Sequence, residues 1–161
     1  MKYADGPTTE VETYVDASPD TVWRFASDPT TPAQFSEELQ EVRWVDDEHF
    51  VGRNRHPIVG EWETTCTIVA NDPPTEFAWV VGEPDHPMAQ WRFILEPRDE
   101  GTVLRQRVRL GPAPSGLTPA IEARPDKEER IIERRLEEHR TNMQATVEGI
   151  GRLAEQAAGA R

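Results

Sequence analysis

Residues 11 to 110 alternate apolar and polar side chains in run after run, and residues 126 to 158 then change to apolar spacings of three and four. Alternation marks half-buried strands and the wider spacing marks an amphipathic helix, so the chain predicts a sheet followed by one long helix that must cover it. A curved sheet closed by a single helix tends to leave an apolar space between the two. The sequence points to a container before it points to a chemistry.

Val11, Thr13 and Val15 alternate with Glu12, Tyr14 and Asp16 in the first strand. Ser18 is placed to cap a helix, and Pro19 suits its first position because the missing N–H has no intrahelical partner there. That helix should stop near Asp28-Pro29, and Thr31-Pro32-Ala33-Gln34-Phe35-Ser36 predicts a second short one. Six more strands follow at about 41–45, 48–56, 60–71, 75–82, 88–97 and 101–110, divided by turn residues such as Asp46-Asp47-Glu48 and Asn71-Asp72-Pro73-Pro74. Connections this short join antiparallel neighbours. Residues 111–125, opening Gly111-Pro112-Ala113-Pro114, carry no sustained period and are expected to be irregular, a candidate lid.

Asp126 is expected to cap the last helix, with Glu129 three residues on in capping-box spacing. Ile132, Leu136, His139, Met143, Val147, Ile150 and Ala154 form its apolar stripe. Glu133, Arg134, Glu137 and Glu138 fall opposite, with Arg134 and Glu138 an opposite-charge pair one turn apart. About 30 residues give a rod of roughly 45 Å, long enough to cross a sheet.

The full span 1–161 reads as one domain with an ordered core over about 9–155. Its net charge of −12 sets it against nucleic-acid phosphates and anionic lipid, so no nucleic-acid partner is expected. No apolar run approaches the roughly 18 residues of a membrane span, and stable membrane insertion is not expected either. Cys66 is the only cysteine, which rules out an intrachain disulfide and a CxxC site. The N-terminus has no apolar leader, and cytoplasmic residence is the expectation. GxSxG, Walker and GxGxxG motifs are missing, and His49, His56, His86 and His139 lack HExxH spacing, so neither metal nor cofactor is expected.

Alternation also assigns strand faces. Trp62, Thr64, Cys66 and Ile68 share one, as do Phe77, Trp79 and Val81, then Trp91, Phe93 and Leu95, then Leu104, Gln106, Val108 and Leu110. Three tryptophans on three strands make an apolar wall. Aromatics often simply fill a core, but here they keep polar company: Gln106, Asn54 in the preceding hairpin, and His139 between Leu136 and Met143. A few polar groups in an apolar cleft is the composition of a small-molecule site. His139 taken alone reads more readily as a structural histidine than as a ligand contact. The candidate ligand-binding set is Asn54, Trp62, Trp79, Trp91, Phe93, Gln106, Leu136, His139 and Met143. Arg105, Arg107 and Arg109 alternate with inward residues and read as an exposed face, and the carboxylates fall on turns and on the polar helix face, where solvation accounts for them.

With Ala17-Ser18-Pro19-Asp20-Thr21-Val22-Trp23 after the first strand and Asp28-Pro29 closing the first helix, the order of elements resembles the START/polyketide cyclase superfamily. Phe50-Val51-Gly52-Arg53-Asn54-Arg55, Trp62-Glu63-Thr64-Thr65-Cys66, Phe77-Ala78-Trp79, Trp91-Arg92-Phe93-Ile94-Leu95-Glu96-Pro97 and Gly101-Thr102 extend the resemblance over about residues 9–155. It implies an α+β helix-grip fold, a seven-stranded curved antiparallel sheet wrapped on a long C-terminal helix, with two short helices between strands 1 and 2. It further implies a cavity for a small hydrophobic molecule, lipid-like or polyketide-like. Two alternatives come with it: a polyketide aromatase/cyclase or dehydrase using the same cavity, and a protein-interaction module of chaperone-activator type with a cavity too small or too filled for ligand. The cyclase alternative implies a pocket arginine, for which Arg53, Arg55 and Arg107 lie on strands. Catalysis, ligand identity and oligomeric state are left open at this point.

Overall fold

The computed structural model describes residues 1–159, and positions 160 and 161 of the expected 1–161 span lie outside the described residues. Strand β1 (Thr8–Val15) leads into helix α1 (Pro19–Ala26) and a 3-10 turn (Thr31–Gln34). Strands β2 (Leu39–Trp44), β3 (His49–His56), β4 (Gly60–Asp72), β5 (Glu76–Glu83), β6 (His86–Arg98) and β7 (Gly101–Leu110) follow. A short helix α2 (Thr118–Ala123) and a 3-10 turn (Pro125–Lys127) precede the long helix α3 (Glu128–Gly159). The seven strands form one antiparallel sheet in the order β1-β7-β6-β5-β4-β3-β2. This is the helix-grip arrangement that the resemblance implies. Among the described residues no helix is long and apolar enough to cross a membrane.

Local chemistry fixes the corners. Ser18 Oγ accepts a hydrogen bond from the Thr21 N–H at 3.3 Å and caps α1 as its sequence suggests. The buried Thr102 Oγ1 donates to the Ala17 carbonyl at 2.8 Å, tying the β1–α1 corner to β7. At Gly101 an added Cβ would collide with the Val15 carbonyl and the Tyr14 ring, so β7 can begin this close to β1 only without a side chain.

The core is asymmetric. Val147, Ile150 and Ala154 of α3 are fully buried with Val15, Val22, Ala26 and Leu104, so the helix rests on β1, β7 and α1. Each such aliphatic side chain contributes about 1.5–3 kcal/mol on burial. Trp23 meets Phe77 edge-on at 6.2 Å and fastens α1 to the middle of the sheet. Toward β2 the sheet curls away, bent by bulges at Leu39/Glu41, Ile68/Ala70 and Val81/Gly82. On one flank of α3, Arg140 Nη2 donates to Thr9 Oγ1 of β1 at 2.7 Å. On the other flank, Arg135 reaches Glu38 beside β2. Between these two anchorages the helix bridges the concave face.

Three expectations change. The 111–125 stretch is not wholly irregular: Thr118–Ala123 is helical, and Pro119 sits where a first helical turn accepts it. Asp126 does not cap α3, because its carboxylate receives Arg124 Nε and Nη2 at 3.2 and 3.1 Å inside the preceding 3-10 turn. Glu138 is drawn off the polar face to His56 and Arg135 and does not pair with Arg134. All seven residues of the expected α3 stripe are buried. Replacing Ile150 with Ala should therefore cost about 2–5 kcal/mol, read as a lower urea midpoint at unchanged slope.

Candidate functional site

Between the concave face and α3 lies a cavity of about 650 Å³. That is within the range of about 300–1,000 Å³ in which small-molecule sites fall. Alternation brings its sheet wall together: Asn54 from β3, Trp62 and Cys66 from β4, Trp79 from β5, Trp91 from β6 and Gln106 from β7. His139, Met143 and Thr146 of α3 form the roof, and Ser115, Gly116 and Leu117 close one side.

Trp79 and Trp91 are paired across β5 and β6, and their rings stack at 6.1 Å with planes 3° apart. Phe50 and Phe93 brace Trp79 from either side, at 6.2 and 5.7 Å. His139 meets the Trp91 ring edge-on at 5.1 Å. The result is a flat, rigid slab facing a helix.

Of the candidate residues, Asn54, Trp62, Trp79, Trp91, Gln106, His139 and Met143 line the cavity. Phe93 and Leu136 do not: both sit in the packed core, where sheet and helix are in contact and no gap reaches them. Asn54 Nδ2 has long hydrogen bonds to the Gly52 carbonyl and Thr64 Oγ1, 3.4 Å each. Gln106 is 4% exposed, and its Oε1, shut off from both solvent and cavity, has no hydrogen-bond donor among the described residues. An acceptor stranded in this way costs about 1–3 kcal/mol. The buried His139 ring makes no hydrogen bond among the described residues; burial, and then the charge of Arg135, push its pKa down to about 3. The ring is thus neutral at ordinary pH, with one nitrogen that donates and one that accepts. Burial likewise pushes the Cys66 thiol up to about 12, against a lowering hydrogen bond from Thr64, so it stays protonated.

One cluster was not visible in the sequence. Arg135 Nη1 and Nη2 donate to Glu38 Oε1 and Oε2 at 2.7 and 2.8 Å, and Nη1 also reaches Glu138 Oε1 at 3.3 Å. His56 Nε2 lies 2.8 Å from Glu138 Oε2. All four side chains line the cavity where β2 and β3 approach α3. Burial works against the Arg135 charge, but Glu38 and Glu138 outweigh it and hold the guanidinium even more firmly protonated than usual. Partial burial pushes the Glu138 carboxyl up, yet hydrogen bonds from His56 and Arg135 bring it below the usual range. Reading these carboxylates as merely solvated is therefore corrected. The available signal was the spacing of Arg135, Glu138, His139 and Asn142, which follows one flank of the stripe.

The strand arginines lie elsewhere. Arg53 pairs with Glu41 and Glu61 at 3.2 and 3.4 Å, and Arg107 with Glu10 at 3.0 Å, on exposed positions, while Arg55 is exposed. Arg105 pairs with Glu96 at 2.7 Å. None of them lines the cavity.

His139 makes stability depend on pH. Its folded pKa is depressed below the ordinary 6.5, so the unfolded chain binds a proton that the folded protein refuses between about pH 6.5 and 3. This contribution is complete above pH 6.5 and is lost as pH falls toward 3, by several kcal/mol in all. His139→Gln should flatten that acid limb, which urea midpoints at about pH 7 and about pH 4 compare directly.

A family described as polyketide cyclase / dehydrase and lipid transport matches residues 7–148. No curated protein matches the chain. Among solved structures, a Polyketide_cyc-like protein from Corynebacterium glutamicum is 28% identical, with a TM-score of 0.64 over 93% of this chain and 92% of that one. The Zhui aromatase/cyclase from Streptomyces sp. R1128 is 16% identical, TM-score 0.65, over 96% of each chain. The di-domain ARO/CYC StfQ from the steffimycin biosynthetic pathway is 16% identical, TM-score 0.71, over 95% of this chain and 52% of its own. The last two likenesses are of fold.

Proposed function

The chain belongs to the polyketide cyclase / dehydrase and lipid transport family, and from that premise we propose that it is a single-domain container that binds a small hydrophobic molecule between its sheet and α3. The observation that carries this reading is a 650 Å³ cavity that pairs stacked indoles with the neutral imidazole of His139. Trp79 and Trp91 offer a face to a flat or aliphatic body. The neutral His139 ring orients its polar end. Covering roughly 320 Å² of apolar ligand surface at about 25 cal/mol per Å² contributes about 8 kcal/mol, the scale of a micromolar Kd before the cost of immobilisation.

The likeness of fold to two aromatase/cyclases favours a second reading, in which the cavity orients a substrate for ring closure. That chemistry needs a group to move a proton. His139, held at about 3, is a weak base, and Arg135 is engaged by two carboxylates. The geometry thus supports holding and orienting better than proton abstraction. A chaperone-activator module should have a filled or small cavity, and one of 650 Å³ argues against it.

Tryptophan fluorescence tests the proposal. A polycyclic aromatic or lipid probe should quench it with a micromolar Kd, and Trp91→Ala should weaken that binding about tenfold. His139→Gln should weaken a hydroxylated probe more than its parent hydrocarbon. A panel of such probes with no binder, or affinities indifferent to Trp91→Ala, would sink the reading.

A further inference from the structure

We propose that the molecule held in this cavity is uncharged at its polar end, because the cavity wall offers an anion no unbalanced positive charge. The inference rests on the reading of the cavity as a ligand site. The ionisable side chains on its wall are Glu38, Glu63, Glu138, Arg135, His56 and His139, besides the protonated Cys66 thiol. With His139 neutral, the others sum to −2 when His56 is neutral and −1 when it carries a proton. Setting aside Glu63, which pairs with Arg43 at 2.8 Å, the remainder is −1 or zero. In no state is the wall positive.

Arg135 is the lone arginine or lysine on that wall among the described residues, and the edge formed by its two Nη atoms is taken. Glu38 occupies both Nη atoms and Glu138 adds a third contact, while the Arg135 and Glu38 side chains are only 19% and 14% exposed. A bidentate pair in a poorly hydrated place is strong and geometrically specific. Among the described residues Nε and one Nη2 hydrogen of Arg135 are not engaged, but Glu38 and Glu138 already balance its charge, so an incoming carboxylate or phosphate would add a further negative charge beside two carboxylates. That is unfavourable in a poorly hydrated place. The ligand class that fits is a neutral apolar body, and fatty-acid anions and phosphate esters are selected against.

A matched pair of probes tests this: a naphthalene carboxamide and the corresponding naphthalene carboxylate, titrated by tryptophan quenching at neutral pH and low salt. The wild-type protein should bind the carboxamide at least about tenfold more tightly than the carboxylate. Glu38→Gln releases Arg135 from its bidentate partner, and the preference for the carboxamide should then shrink about tenfold. Glu138→Gln, with the same near-isosteric change, should shrink it in the same direction and serves if Glu38→Gln fails to fold by circular dichroism. Equal binding of both probes to the wild type, tighter binding of the carboxylate, or a preference unmoved in every folded variant overturns the inference alone. Binding of neither probe overturns the ligand-site reading on which it rests.

Discussion

The structure depends on how α3 meets the sheet: it is packed along one flank and bridged along the other. Val147, Ile150 and Ala154 bury themselves against β1, β7 and α1, where apolar surface leaves water and the helix is fixed. A straight rod of 32 residues cannot follow a sheet that curls through three bulges. The part of the sheet from β3 to β6 is consequently roofed without being filled. Burial on the first flank supplies the stability, and it frees the second flank from having to do so.

That division explains the unusual company of side chains on the cavity wall. In a filled core the His139 ring would need a protein partner, and among the described residues it has none. It is tolerated because it borders a space. The low dielectric that leaves His139 neutral also strengthens the Glu38–Arg135 pair on the same wall. Apolar slab, neutral polar groups and a closed ion pair thus follow from one geometric fact, the distance between a bent sheet and a straight helix.

Much of this was legible in the chain. Alternation placed all seven strands because an antiparallel sheet with one covered face imposes period two on its side chains, and the α3 stripe was readable for the matching reason at helical spacing. The inward tryptophans and Gln106 followed from the same rule. Phe93, from strand alternation, and Leu136, from the helical stripe, are expected at the cavity because either period distinguishes inside from outside but not filled from unfilled. The Glu38–Arg135–Glu138–His56 cluster escaped for a different cause. Its partners lie 97 and 82 residues apart and meet only through the curl of the sheet, which no local pattern encodes. Thr118–Ala123 was hidden by surrounding proline and glycine, which argue against a helix locally although proline is accepted in a first turn.

Xenon settles directly whether the roofed region is room or packing, since it enters apolar cavities without needing a hydrogen bond. Diffraction from crystals pressurised with the gas should show a xenon peak between Trp79, Trp91 and Met143, with the sheet and α3 unmoved. If no xenon enters, and those three side chains are in van der Waals contact from sheet to helix, the container account is contradicted.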